Sequence, residues 1–250
     1  MKFGVCCGID EAPLALSLGY DYVELGASAI AAATDLAPYR DLPIEATNLF
    51  FPGEIQLFGA EPGAYREYAP RAIELVAGLG ATVMVVGSGN ARRTPHGVPS
   101  DVAESRFVEV AADLQTMAAS YGITIAPESL NRSETNVGND LGTLARALRA
   151  DGVGYTADLY HILYEANADG HPANMGEQVP FVPTHVHLAD LPRFAPEVDD
   201  SSVIAFAHRL RDLGYKARIS LECQRTNPAE DLAKGLATMK ALFSFDDATD

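Results

Sequence analysis

Residues 125–136 read IAPESLNRSETN. The apolar run from Ile123 to Ala126 has the makings of a buried strand, and it breaks off into two glutamates, an arginine and two asparagines. A strand that stops in such a cluster either enters a solvated loop or delivers a carboxylate into a site. The choice depends on whether other strands end the same way.

Runs of the same kind recur along the chain. Strands are expected over 2–7, 22–25, 44–49, 83–87, 123–126, 154–157, 185–188 and 218–221, eight in all. Between them, apolar residues fall at helical spacing, most clearly over 69–79, 102–119, 141–148, 201–213 and 228–243. Ser100 and Asn227 read as N-caps, Pro228 as a first helical residue, and Gly80, Gly122 and Gly214 as helix stops. Eight β-to-α units in 250 residues predict an α/β fold, a (β/α)8 TIM barrel, with the whole chain 1–250 as one domain. The competing doubly wound sheet would carry a GxGxxG turn after its first strand, whereas here that strand runs into CCGIDEAP. The acidic ending FSFDDATD reads as a frayed tail without function.

Composition narrows the function classes. A 48% hydrophobic share suits a sizeable core, and no apolar run approaches the roughly 18 residues of a membrane span. The amino terminus shows no basic segment followed by a signal-like core, so a cytoplasmic location and no membrane partner are expected. Cys6, Cys7 and Cys223 are odd in number and lack metal or redox spacing, which predicts reduced thiols. A formal charge of −16 disfavours a nucleic-acid partner.

The chemistry of a parallel barrel gathers at the carboxyl ends of its strands. Strand five delivers Glu128, strand six Asp158, strand seven His185 or His187, and strand eight Glu222. Taken singly, each acid could be a helix cap or an ion-pair partner, and a histidine a core residue. Three carboxylates crowded at one barrel mouth would repel one another, and one divalent cation is the economical remedy. Oxygen-rich ligation with one imidazole suits manganese, magnesium or cobalt better than an all-sulfur zinc site, with zinc as a further option. Spacing alone does not choose between His185 and His187, because residues two apart on a strand face the same way.

Four signatures together resemble the xylose isomerase-like barrels, and among them the ketose 3-epimerases and hydroxypyruvate-type isomerases. They are Glu-x-x-Asn-Arg-x-Glu over 128–134, Asp-x-x-His over 158–161, His-x-x-Asp over 187–190 followed by Arg193, and Glu222. The first is fairly specific, the others gain weight from their order, and the match spans roughly residues 120–225; the first half contributes its βα rhythm and GYDYVELG. The resemblance implies that Glu128, Asp158, His187 and Glu222 hold one divalent metal ion. It implies that Glu128 and Glu222 also transfer protons, and that Glu134, His161 and Arg193 orient a sugar's oxygens. His185 is then a supporting or core residue. A carbon-bound proton beside a carbonyl is too weakly acidic for an unaided carboxylate, so charge on the developing enediolate oxygen must be stabilised, as a Lewis acid would do. Return of the proton to the opposite face gives an epimer; return to the neighbouring carbon gives aldose–ketose isomerisation. A small carbohydrate substrate, phosphorylated if a loop provides for it, and a homodimer or homotetramer are the partners this implies.

The loop in VVGSGNARRTPHG could provide that: Arg92 and Arg93 are candidates for holding a substrate phosphate or carboxylate. Glu24 and Asn48 also end strands and could line the pocket, while Phe50, Phe51 and Phe58 read as core. The alternative function on the same fold is an apurinic-endonuclease-like phosphodiesterase. That class needs extra histidines on early strands and an Asp-x-His after strand seven, where this chain has Glu24, Asn48, Ser88 and LPRFAPEVDDSS. A noncatalytic sugar-binding barrel would have no evident need for two glutamates about a metal.

Overall fold

A computed structural model describes residues 1–244. The final residues of the tail expected to fray, 245–250, lie outside the described residues. Eight parallel strands appear in chain order: β1 Lys2–Cys6, β2 Tyr22–Gly26, β3 Ile44–Asn48, β4 Val83–Val86, β5 Thr124–Pro127, β6 Thr156–Asp158, β7 His185–Leu188 and β8 Arg218–Leu221. Their spatial order is β5-β4-β3-β2-β1-β8-β7-β6, so each strand neighbours its sequence neighbour and β1 joins β8. The remaining seam, between β5 and β6, is narrowed by a parallel bridge from Glu128 to Thr156 and by Thr156 Oγ1 donating to Ala126 O at 2.9 Å. The result is the expected near-closed TIM barrel with helices around it.

Strand alternation sorts the side chains. Phe3, Val5, Val23, Leu25, Met84, Val86, Ile125, Ala157, Val186, Leu188, Ile219 and Leu221 join the large outer core beneath the helices. The opposite faces turn inward, where Tyr22, Ala46, Val83, Val85 and Ala126 form a small separate cluster in the barrel's interior. Two steps further along the same faces come Glu24, Asn48, Glu128 and, from the other strands, Asp158, His187 and Glu222. The barrel thus has an apolar floor with a polar layer toward the carboxyl ends, which is where its alternation predicts ligands.

Helix boundaries refine the sequence reading. The helix expected from 69 starts at Tyr65, a turn earlier, with Pro70 inside Tyr65–Gly78. Ser100 is the first helical residue of Ser100–Ala118 and not its N-cap; Pro99 takes the capping place with an extended backbone. Asn227 and Pro228 hold the expected positions, although the donors there are satisfied by Asp231 Oδ2, which accepts from Thr226 N at 2.7 Å and Asn227 N at 2.9 Å. Gly80, Gly122 and Gly214 end helices with φ of 95°, 70° and 70°. Helix Leu159–Ala168 escaped the periodic reading because its first half is apolar on nearly every side. Among the described residues, no helix is long and apolar enough to cross a membrane. Phe50 and Phe51 are buried edge to face, ring centroids 4.7 Å apart, as core residues.

Candidate metal centre and active site

Each strand end places one group. Glu128 follows β5, Asp158 ends β6, His187 lies inside β7, and Glu222 follows β8, its backbone N–H bonded to Leu188 O at 3.0 Å. One ligand-type atom from each of these four residues lies within 4.8 Å of all the others. His187 Nδ1 is the hub, 2.9 Å from Glu128 Oε1, 3.5 Å from Glu222 Oε2 and 3.8 Å from Asp158 Oδ2. Glu128, Asp158 and His187 are buried, and Glu222 keeps 18% of its side chain exposed at the mouth. Gly87 leaves the room that Glu128 needs: a Cβ there would sit 2.7 Å from Glu128 Oε2.

Asp158 serves two purposes at once. Its Oδ1 caps helix Leu159–Ala168, accepting from Tyr160 N at 2.7 Å, while Oδ2 is buried without a hydrogen-bond partner among the described residues and faces the cluster. The electrostatics of the cluster are those of crowded carboxylates. Burial, then Glu128 and Glu222, push the Asp158 carboxyl well above its ordinary range. Burial would lower the His187 imidazole, yet Glu24, Cys6, Glu222 and Glu128 together raise it well above its usual value. Both shifts report an excess of negative charge, which the protein alone meets by holding protons. Three carboxylates and one imidazole nitrogen around an orphaned oxygen fit a divalent cation.

The groups expected to orient a substrate lie on the rim. His161 is buried, and its Nδ1 accepts from Asn131 N at 3.0 Å, which leaves the proton on Nε2. That Nε2 has no partner among the described residues and lies 3.8 Å from Asp158 Oδ2. Burial lowers the His161 pKa to about 4, so the ring is a neutral donor aimed into the site. Arg193 donates from Nη1 to Glu134 Oε1 at 3.1 Å and from Nη2 to Glu222 Oε2 at 2.7 Å, with its guanidinium 4.7 Å from the Tyr160 ring centroid. Its backbone is left-handed at φ 92°, in a turn held by Arg193 N donating to Asp190 O at 2.8 Å and Phe194 N to Asp190 Oδ1 at 2.7 Å. The aspartate of His-x-x-Asp is therefore the turn that presents Arg193. Glu222 is further held by Asn48 Nδ2, 3.3 Å from its Oε1. Burial works against the charge on Glu128 and Glu222, but His187 lowers both carboxyls and Arg193 assists at Glu222, so both are ionised.

The Arg92–Arg93 loop departs from expectation. Arg92 is fully buried, its guanidinium 4.5 Å from the Phe107 ring centroid, because the short helix Gly89–Arg92 turns it inward. It is not presented to a ligand at the surface. Arg93 donates through Nη2 to Ser133 O at 3.1 Å and Glu134 O at 2.7 Å. Both arginines thus pack behind or brace the segment that carries Glu134. Sequence reading passed over the role of Glu24, which is fully buried and lies 2.9 Å from His187 Nε2 through Oε1 and 2.8 Å from His185 Nε2 through Oε2. The available signal was its place in YVELG, an acid between apolar residues on the inward face of a central strand.

Comparison with known proteins agrees with this architecture. The family profile described as xylose isomerase-like TIM barrel matches residues 13–242. No curated protein matches the chain by sequence. Among solved structures, a D-psicose 3-epimerase in the presence of D-fructose superposes with a TM-score of 0.81 at 18% identity, covering 98% of this chain and 100% of that one. A 3-keto-D-glucoside 4-epimerase from E. coli gives 0.77 at 18% identity, covering 96% and 99%. The IOLI protein with a bound zinc atom gives 0.68 at 20% identity, covering 98% of each chain. At these identities the likenesses establish the fold. With the profile spanning nearly all of its length, the chain belongs to the xylose isomerase-like TIM barrel family.

Proposed function

We propose that the protein is a divalent-cation-dependent isomerase or epimerase acting on a sugar, a sugar phosphate or a small hydroxy-carbonyl compound. The observation that carries this reading is the convergence of Glu128, Asp158, His187 and Glu222 on one point, with two of the three acids being glutamates that remain ionised. A cation held by these four residues would supply Lewis-acid stabilisation of the substrate's oxyanion.

The protein's own groups do the rest. One glutamate takes the proton from the carbon next to the carbonyl, and the C–H electron pair moves into the enediolate. The other glutamate, once it has taken up a proton from solvent, returns that proton to the opposite face, and the first then releases its own, so both carboxyls end the turnover ionised as they began it. His161 Nε2–H and Arg193 donate to substrate oxygens, and Glu134 accepts from a hydroxyl. Arg193, now paired with Glu222, would loosen that pair to meet substrate. The structures of a D-psicose 3-epimerase and a 3-keto-D-glucoside 4-epimerase on the same fold support a carbohydrate as substrate class.

Solvent isotope exchange tests the reading. Incubated in deuterated water with Mn²⁺ and a panel of ketoses, hydroxypyruvate-type acids and sugar phosphates, the protein should place deuterium at the carbon beside the carbonyl. Glu128→Gln and Glu222→Gln should each lower that rate by about 10²-fold or more, and a chelator should stop it reversibly. Nicking of abasic DNA without isotope incorporation into any substrate would contradict the proposal.

A further inference from the structure

Beneath the candidate metal centre runs a buried hydrogen-bond chain built on β2, β7 and β8. Tyr22 Oη lies 2.7 Å from Ser220 Oγ, and Ser220 Oγ donates to Glu24 Oε2 at 2.6 Å. The same oxygen lies 2.8 Å from His185 Nε2, and the other oxygen of Glu24 lies 2.9 Å from His187 Nε2. All five side chains are fully buried. An ionised carboxylate accepts and cannot donate, so the protons sit on Ser220, His185 Nε2 and His187 Nε2, and Tyr22 donates to Ser220.

This ordering has a consequence at His187. A neutral imidazole with its proton on Nε2 has its lone pair on Nδ1, the atom that faces Glu128, Glu222 and Asp158. The ring is planar, so a bond at Nε2 also fixes the direction of that lone pair. We propose that Glu24 is a positioning residue: it holds His187 in the Nε2–H tautomer, aims Nδ1 at the cation site and strengthens it as a donor, with Ser220 and Tyr22 bracing Glu24 from below. The inference rests on the metal reading of the four-residue cluster. Cys6, Glu24 and His187 also lie close enough together to suggest a second cation site. The protein's own donors already occupy both oxygens of Glu24, and Cys6 Sγ is 3.7 Å from the same Nε2, so this trio supports the first site.

Two measurements on the full-length protein test this. Co²⁺ binding is titrated by calorimetry in wild type, Glu24→Gln, Ser220→Ala and, as a control, His187→Ala. Long-range ¹H–¹⁵N spectra of the metal-free proteins, taken at a pH high enough that the His187 ring is neutral, then report the histidine tautomers. Glu24→Gln should bind Co²⁺ about 10- to 100-fold more weakly, and its His187 should no longer be confined to the Nε2–H form. Ser220→Ala, which keeps the carboxylate and changes the least volume, should shift both readouts in the same direction by less. It serves as the test if Glu24→Gln fails to fold. Unchanged affinity together with unchanged His187 ¹⁵N shifts in the folded variants would overturn the proposal. Should wild type bind Co²⁺ no better than His187→Ala, the metal reading itself falls. In that event the tautomer spectra still judge Glu24: a redistributed His187 upholds its positioning role, and identical spectra refute it.

Discussion

Arg193 joins two groups whose charges would otherwise spread apart at the mouth of the barrel. It spans Glu134 and Glu222, and the surrounding acids raise its pKa above even the usual guanidinium value despite its burial. A charge-assisted hydrogen bond lost at such a site is worth roughly 1.5–3 kcal/mol, so Arg193→Ala should cut kcat/KM by about 10- to 100-fold, mostly through KM. Steady-state kinetics on the substrate found by isotope exchange check this; an unchanged kcat/KM in a folded variant would remove Arg193 from the substrate's surroundings. The role proposed for Arg193 was legible only by resemblance. Its setting was not, because the left-handed turn around Asp190 leaves no periodic trace. Asp158 was weighed as helix cap against ligand, and the structure gives one oxygen to the helix and the other to the site. A single letter in a sequence cannot show that division. The setting of Arg92 was hidden for a related reason: the sequence reads as a glycine-rich loop, while one turn of helix carries its guanidinium under Phe107.

At the level of elements, the strands were the most legible part, since alternation determines which face each residue takes and hence what the barrel interior contains. Neighbouring strands must also accommodate one another, and this is hidden in one sequence. Gly4 on β1 pairs with Tyr22 on β2, and a Cβ at Gly4 would fall 2.2 Å from Tyr22 Cζ. Tyr22 therefore lies over a strand with no side chain beneath it, and its hydroxyl reaches Ser220. Gly4→Ala should destabilise the fold by about 1–3 kcal/mol through overpacking. Tyr22→Leu in the same chain should recover part of that loss, because the two positions share one space. Urea unfolding midpoints measure both effects, and equal stability of wild type and Gly4→Ala would show that the interior is looser than this contact implies. Helix ends were less legible than strands: Asp140, whose side chain accepts from Thr143 N at 2.7 Å, is a cap the periodic pattern did not reveal, and Ser100 proved not to be one.

Over the whole molecule, closing eight strands into a ring brings residues 24, 128, 158, 187 and 222 to one end of one axis, although they are spread through most of the chain. The second half of the sequence supplies the candidate ligands, and the first half supplies Glu24 and Asn48, which hold two of those ligands in place. That long-range division of labour is why the first half showed little beyond its βα rhythm. The most direct measurement is anomalous diffraction from a crystal grown with Mn²⁺ at millimolar concentration. One peak is expected, within bonding distance of Glu128, Asp158, His187 Nδ1 and Glu222. A map without a peak among these four side chains, or with the manganese bound elsewhere, would contradict the account.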